Sequence, residues 1–573
     1  MVLAVNPRDI ALLKNASQFP WVYIGSYKGL ERVKPVLEQS KRRFIAQDIE
    51  KIVSSVRDNF VNYIGKLSQK QSNKILWYSS CMASKSISQT SIFHQYVYLK
   101  LLEQFAKTDS HNIVVVTDDV ELLENIQKIK IKNIIVLSNG FFFMKKLCAR
   151  GKGYLKTFRY ILLWYIAKVL RNPQLNRFDV FIHTWIDERT FSNLPHFTDP
   201  YLGDLGDVLT REGAAVARLI FPSTPLKYLL KLPRHFTDIV YPLSYLTLSD
   251  LLKNILRRFS ITVNDVGGED MKDVEILGVL VNNEIVKENR SRTYLDYLIA
   301  FYSYKSMNGG IKPDSSLIYP FENQPWEKML NLAFGHLNRV AYQHTAIPYN
   351  CLDYHSSMYE EMPLPQTILT VGRKWFTFLK QQYPAVVIED AGAIRFSYLF
   401  HNKHNMSSGK NIIVALPISP SIAIALQRQI LRVLGNISLG DYIIKIKPHP
   451  RLKKNAVLEK EFTQYKNCQF VNQSIHELLK ECMMLVTSGS AVTFESLLLG
   501  RKTLYFLPEE ISWGLEHFVR DSLCIADEDD FLEQFRSVLD SACSPNVNID
   551  EYFSPSDYTV FLKHIHTKKH SYN

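Results

Sequence analysis

Near the C-terminal end of the chain the apolar run Tyr442-Ile-Ile-Lys-Ile-Lys447 stops abruptly at Pro448-His449-Pro450-Arg451. A second run, Met483-Met-Leu-Val-Thr487, stops at Ser488-Gly489-Ser490 and hands over to the helical stretch Ala491 to Gly500. Both read as buried strands cut off by loops, because short apolar runs bounded by Pro, Gly and Ser fit strands of a sheet covered on both faces. A strand that turns through Ser-Gly-Ser into a helix leaves unpaired backbone N–H groups beside two hydroxyls, an arrangement suited to a phosphate.

The same alternation runs back through the chain. Asn112 to Thr117, Glu121 to Ile129 and Asn133 to Leu137 read as strand, helix and strand, and Ile75-Leu-Trp-Tyr78 as a further short strand. Asp179 to His183, Ala215 to Ile220 and Leu317 to Pro320 continue the strands, and a later group begins near Thr367 with Pro384 to Glu389 and Asn411 to Leu416. Strands alternating with helices predict an α/β fold with parallel sheets. Two halves are expected, 1–350 and 351–573, since 573 residues exceed what one core holds.

A net charge of +12 asks for an anionic partner, but no zinc-finger spacing, RNA-binding aromatic signature or long basic tract points to nucleic acid. Seven scattered cysteines without a CxxC pair argue for reduced thiols and against a structural zinc. No secretory signal pattern opens the chain and no apolar run has spanning length, so a cytoplasmic place is expected, with peripheral contact to the inner membrane face as an option. That option rests on 141–171, where aromatic runs interleave with Lys145, Lys146, Arg150, Lys152, Lys156, Arg159 and Lys168. Such a helix fits a membrane surface, or else a core helix with solvated basic ends.

Ligands of open parallel sheets bind beyond the carboxyl ends of the strands. Lys447, His449 and Pro450 lie at one such end and Ser488, Gly489 and Ser490 at another, and together they form the expected nucleotide-phosphate site. Glu495 is placed to accept ribose hydroxyls, or is an acid held by the helix dipole. Lys447, Arg451 and Arg373 are available for an anionic donor, or are solvated surface charges.

On His449-Pro450 and Ser488-Gly489-Ser490, the stretch from Thr367 to Phe506 resembles the GT-B glycosyltransferases that use CMP-activated sugars, among them bacterial sialyltransferases and capsule Kdo transferases. Trp185-Ile-Asp-Glu-Arg189, Asp199-Pro-Tyr-Leu-Gly-Asp-Leu205, Phe321-Glu-Asn-Gln-Pro-Trp-Glu327 and Tyr342-Gln-His-Thr345 are similar to bacterial O-antigen or capsule biosynthesis proteins. The resemblance implies two Rossmann-like domains facing a cleft and transfer of a nonulosonic acid (sialic, legionaminic or pseudaminic) or Kdo to a surface or lipid-linked glycan. The donor would be the CMP-sugar itself, with no cofactor and no metal. The family's base lies in an acidic pair followed by glycine, whereas here Glu389-Asp390 is followed by Ala391.

An inverting transfer needs a group that takes the proton of the acceptor hydroxyl. Glu322 is the first candidate, in a loop of polar and aromatic composition after a strand, with Asp187 next and Asp390 third. Glu322 also fits a helix-start acid, with Trp326 a core anchor. Asn323, Trp326 and His344 are expected contacts of acceptor or donor sugar, His344 being open to a buried structural role as well. A sugar-nucleotide 2-epimerase and a non-catalytic glycan-assembly protein are the alternatives, since a fold does not decide a function.

Overall fold

Seventeen strands among the described residues form three sheets, each parallel throughout. The computed structural model describes the chain except residues 1, 6–12, 15–16, 109–112, 131–133, 138–142, 171, 257–272, 402–408, 453–455, 542–546 and 566–573. The first sheet takes β1 (Val2–Val5), β2 (Trp21–Ile24), β3 (Ile113–Thr117) and β4 (Ile134–Leu137) in the order β2-β3-β1-β4. The second takes β5 (Val180–Thr184), β6 (Val216–Ile220), β7 (Ile239–Val240), β8 (Ser316–Pro320), β9 (Asn338–Tyr342), β10 (Thr367–Thr370) and β11 (Val387–Asp390). Its order is β11-β10-β9-β8-β5-β6-β7, so the winding reverses between β8 and β5.

The third sheet takes β12 (Asn411–Ala415), β13 (Ile443–Lys447), β14 (Cys468–Phe470), β15 (Cys482–Thr487), β16 (Lys502–Phe506) and β17 (Cys524–Ala526). Its order is β14-β13-β12-β15-β16-β17, and the reversal falls between β12 and β15. The two runs that open the sequence argument therefore share a sheet: Ala415 at the end of β12 pairs with both Lys447 and Thr487. Crevices at such reversals are where open α/β sheets hold ligands.

The expected α/β class with parallel sheets is what the chain adopts, and three particulars differ. A boundary at 350 does not divide the sheets, because β10 and β11 pair onto β9 and the third sheet starts only at Asn411. The first sheet stands as a further layer inside the 1–350 half. Ile75-Leu-Trp-Tyr78 lies in a helix, Lys74–Tyr78, whose start is capped by the Asn73 side-chain Oδ1 accepting from the Leu76 N–H at 3.1 Å. Four apolar residues carry no period, so strand and helix were indistinguishable there.

After the third sheet the chain returns to the second. The Ser554 N–H donates to Val371 O (2.8 Å), Asp557 N–H donates to Ala391 O (2.9 Å), and buried Phe561 packs its ring 5.3 Å from that of Tyr342. This return employs the acidic pair: Glu389 accepts from Lys563 (2.7 Å), and Asp390 accepts from Gly392 N–H (3.0 Å) and Ser554 Oγ (2.6 Å). Gly392 has φ +75°, and a Cβ there would lie 2.0 Å from Pro555 O. Asp390 thus anchors a backbone crossing.

The first layer is clamped to the third sheet's side by Arg42, which is almost fully buried and reaches both Glu509 and Glu528 (3.1 Å). Burial pushes Glu509 up to about 7 even beside this guanidinium. Arg42→Ala strands the buried Glu509 carboxylate and leaves Glu528 with Lys34 alone (3.3 Å), and it is expected to cost about 3–5 kcal/mol of stability at neutral pH, read from the denaturant midpoint. The deficit should shrink at lower pH, where the orphaned Glu509 carboxyl takes up a proton.

Candidate functional site

Glu322 follows β8, at the reversal of the second sheet, and owes its placement to another acid. Glu327, in the first turn of the helix Pro325–Ala333, accepts the backbone N–H groups of Glu322 (2.9 Å), Asn323 (3.0 Å) and Gln324 (3.0 Å). Buried Lys328 donates to Asn323 O at 2.8 Å, and Asn323 takes a left-handed φ of +54°. The loop is thereby wrapped around one buried carboxylate, which leaves the Glu322 side chain outside the wrap and 40% exposed. Glu327, not Glu322, is the helix-start acid.

Two expected sugar contacts turn out to hold this loop instead. The Asn323 amide donates to Asp353 O (2.6 Å) and Tyr383 Oη (3.1 Å) inside the protein. Trp326 is buried and stacks on His183 at 4.6 Å between ring centroids. Neither is free to face a ligand; a polar, aromatic composition did not distinguish lining from support.

His344, two residues past β9, lies with Nε2 3.2 Å from Glu322 Oε1 and stacks on Tyr201 at 4.8 Å. Burial first, then Arg395 and Arg189, push its pKa down to about 3, so the imidazole is neutral and the contact is not an ion pair. The contact is also off the axis of a hydrogen bond, and both ring nitrogens are buried without a hydrogen-bond partner among the described residues. Buried polar groups are nearly always paired, so an orphaned imidazole beside a half-open carboxylate marks a place where a ligand completes the bonding.

Asp187, past β5 on the other side of the reversal, caps a short turn and is gripped by Arg189, whose Nη2 donates to Oδ2 at 2.6 Å and Nε to the same oxygen at 3.1 Å. Burial alone would raise this carboxyl, but the Arg189 fork outweighs burial and holds it below the usual range. Asp187 is a weak base that aims a guanidinium. That guanidinium lies 5.9 Å from the centre of the Tyr201 ring.

From the third sheet, Lys447 ends β13 and donates to Asn472 O at 3.0 Å, while Pro450 is exposed. His449 accepts the Arg451 backbone N–H on Nδ1 (3.2 Å), which leaves Nε2 as the protonated nitrogen of the neutral ring. Its pKa is lowered by burial and then by Arg451, Arg189 and Arg395, groups from both sides of the molecule. Arg373 is an exposed residue at the start of the helix Arg373–Gln382.

The Ser488 hydroxyl is buried and without a partner among the described residues, Gly489 (φ +59°) donates its N–H to Tyr505 Oη at 2.9 Å, and Ser490 Oγ sits a long 3.5 Å from Val492 N. The helix that follows, Val492–Leu498, is shorter than the sequence suggests, so its dipole contributes little. Glu495 is buried and accepts from the Tyr398 hydroxyl, which leaves it poorly placed for a ribose.

These groups meet electrostatically. Burial raises Glu322 above the usual glutamate range, opposed by Arg451 from the third sheet and by Arg395. The carboxylate keeps 40% of its side chain open to water while protein surrounds it on its other sides. Arg395, in the turn Ile394–Phe396 between the two sheets, acts on Glu322, His344, His449 and Glu495 alike. Sequence reasoning missed Arg395, which follows no strand end in a recognisable motif. Arg189 and Tyr201 lie inside two of the stretches that carry the resemblance, where only Asp187 has a role legible from sequence.

The fold and site define an α/β protein in which groups beyond the carboxyl ends of two parallel sheets act on one another: one raised carboxylate, three arginines and two imidazoles with lowered pKa. No protein-family model matches the chain, and no curated protein matches its sequence. Among solved structures it is similar to S. aureus MnaA with UDP, at 10% identity over 67% of this chain and 95% of that one, TM-score 0.39. It is similar also to Acinetobacter baumannii MurG (12%, 63% and 90%, TM-score 0.36) and to α,α-trehalose 6-phosphate synthase of Burkholderia multivorans (9%, 67% and 92%, TM-score 0.36).

Proposed function

We propose that the chain is a glycosyltransferase that moves an acidic sugar, a nonulosonic acid or Kdo, from a CMP-activated donor to a surface-glycan acceptor. The observation that carries this reading is the raised Glu322 carboxylate set opposite Arg451 and His449, with Arg395 between the sheets and Arg189 beside it. A CMP-nonulosonate presents two anions, one phosphodiester and the carboxylate on its anomeric carbon. Three guanidiniums and a ring N–H match that demand, since arginine holds carboxylate and phosphate through paired bonds.

In the proposed reaction the acceptor oxygen forms its bond to the anomeric carbon as the bond from that carbon to the phosphate oxygen breaks. The acceptor proton passes to Glu322, whose burial makes it the stronger base of the candidates. CMP leaves with the bonding electron pair, its new charge met by Arg451, the Nε2–H of His449 and the Ser488 hydroxyl. A monophosphate leaving group needs less charge neutralisation than a diphosphate, so the reaction is proposed to run without a divalent metal. His344 completes its bonding on the acceptor or the donor carboxylate.

The test is a panel of CMP-sugars offered with glycan acceptors, with CMP release followed in a chelating buffer. Release that depends on acceptor supports the reading. Isomerisation of a UDP-sugar without any acceptor would replace it with an epimerase, and turnover of neither would leave a binding role.

A further inference from the structure

The helix Phe143–Val169 contains seven basic residues and no acidic one, and it was open to two readings from sequence. Phe141 and Arg171 lie outside the described residues, as do the side chains of 143–154. From Leu155 onward the structure shows a helix with two apolar faces. Tyr160, Leu163 and Ala167 are buried in a cluster with Leu251 and Ile255 of the helix Leu248–Leu256. The opposite face carries Leu155, Phe158, Leu162, Tyr165 and Val169, between 43% (Leu162) and 72% (Val169) exposed.

Their spacing of three, four, three and four residues places them in one stripe along the helix. Arg292 ties the neighbouring helix to this one, donating to Thr157 Oγ1 (3.0 Å) and to Ile255 O (3.5 Å). That neighbour adds exposed Leu248, Leu252 and Leu256, the last 77% open. Eight exposed large apolar side chains on two helices of one buried cluster are uncommon on a protein that meets only water.

Charge decides what covers it. Exposed Arg159 and Lys168 flank the stripe on its two edges, and Lys253 is exposed on the neighbouring helix. A second copy docked through the same stripe would bring the basic edges of Phe143–Val169 together with no acid on that helix to answer them, Asp250 of the neighbouring helix being engaged by Lys253 (4.0 Å), whereas helix pairs rely on opposite charges beside the apolar seam. An anionic bilayer supplies both an apolar interior for the stripe and negative headgroups for its basic edges, with lysine and arginine reaching outward from their apolar stems. No helix among the described residues is long and apolar enough to cross a membrane, so contact would be from the surface. We propose that the stripe Leu155–Val169, with Leu248, Leu252 and Leu256, is a docking face for the surface of an anionic lipid bilayer. This goes beyond the proposed reaction and stands independently of it.

The test floats the full chain with phosphatidylcholine vesicles, with and without about 30% phosphatidylglycerol. The parent is expected to float with the anionic vesicles, and to be released by salt because the charge part of the attraction is screened. The pair Phe158→Ser and Leu162→Ser should lower partitioning about tenfold or more without moving the thermal midpoint, since both side chains face outward. Lys168→Glu should lower it severalfold and serves if the double variant is poorly folded. A parent that does not bind anionic vesicles, or serine variants that bind as the parent does, would overturn the proposal. So would a dimer, seen by light scattering, that the same serine substitutions abolish.

Discussion

Glu322→Gln is expected to lower turnover of the CMP-sugar by about 10²–10⁴-fold while leaving CMP affinity within about twofold, because a general base acts on the acceptor proton and not on the nucleotide. The amide keeps the size of the side chain, and the bonds that hold the loop run through the Glu322 backbone N–H to Glu327, so the loop survives. Burial raises the Glu322 carboxyl, and the acid limb of kcat/KM should therefore lie above the ordinary glutamate range and vanish in the variant.

Stability should move the other way. A carboxyl raised in the folded state contributes stability below its unfolded pKa and loses it as pH rises through the folded one, so at neutral pH its ionised form is a liability. Glu322→Gln should leave the thermal midpoint unchanged or higher at pH 7. A structural acid would show the reverse pattern, with stability lost and rate kept.

Arg395→Ala is expected to weaken CMP binding by about ten- to a hundredfold, the range for a lost charge-assisted contact. It should also move the acid limb to higher pH, since Arg395 is one of two groups that hold Glu322 down against burial. The His449 imidazole, freed from one of three positive neighbours, should titrate at higher pH, which proton NMR of the ring reads directly. Arg395→Lys should restore the pH profile better than the affinity, because lysine supplies the charge without the planar fork. Unchanged affinity together with an unchanged limb would remove Arg395 from the site.

Strand ends were legible in the sequence and side-chain directions were not. The apolar runs at Ile443–Lys447 and Cys482–Thr487 are strands of one sheet, the second buried on both faces and the first burying only Ile444 and Ile446, and the loops at their ends lie where sequence reasoning expects a ligand. Ile75 to Tyr78 shows the limit of that signal, a run too short to carry a period.

Within Phe321 to Glu327 the polar and aromatic residues look alike in sequence, yet Glu322 opens to water while Asn323, Trp326 and Glu327 support it. That division follows from a left-handed Asn323 and from distant partners such as Asp353, Tyr383 and His183. Glu495 and Asp390 likewise meet partners brought by tertiary packing, Tyr398 and Ser554. Arg395 gains importance only from standing between two sheets that the chain visits far apart.

Calorimetric titration with CMP and with UDP, in chelating buffer, alongside His449→Ala, tests the central claim most directly. The account predicts that CMP binds without metal, that UDP binds far more weakly, and that His449→Ala loses about tenfold or more of the CMP affinity through the Nε2–H bond. UDP binding without CMP binding, or CMP binding indifferent to His449, would contradict it.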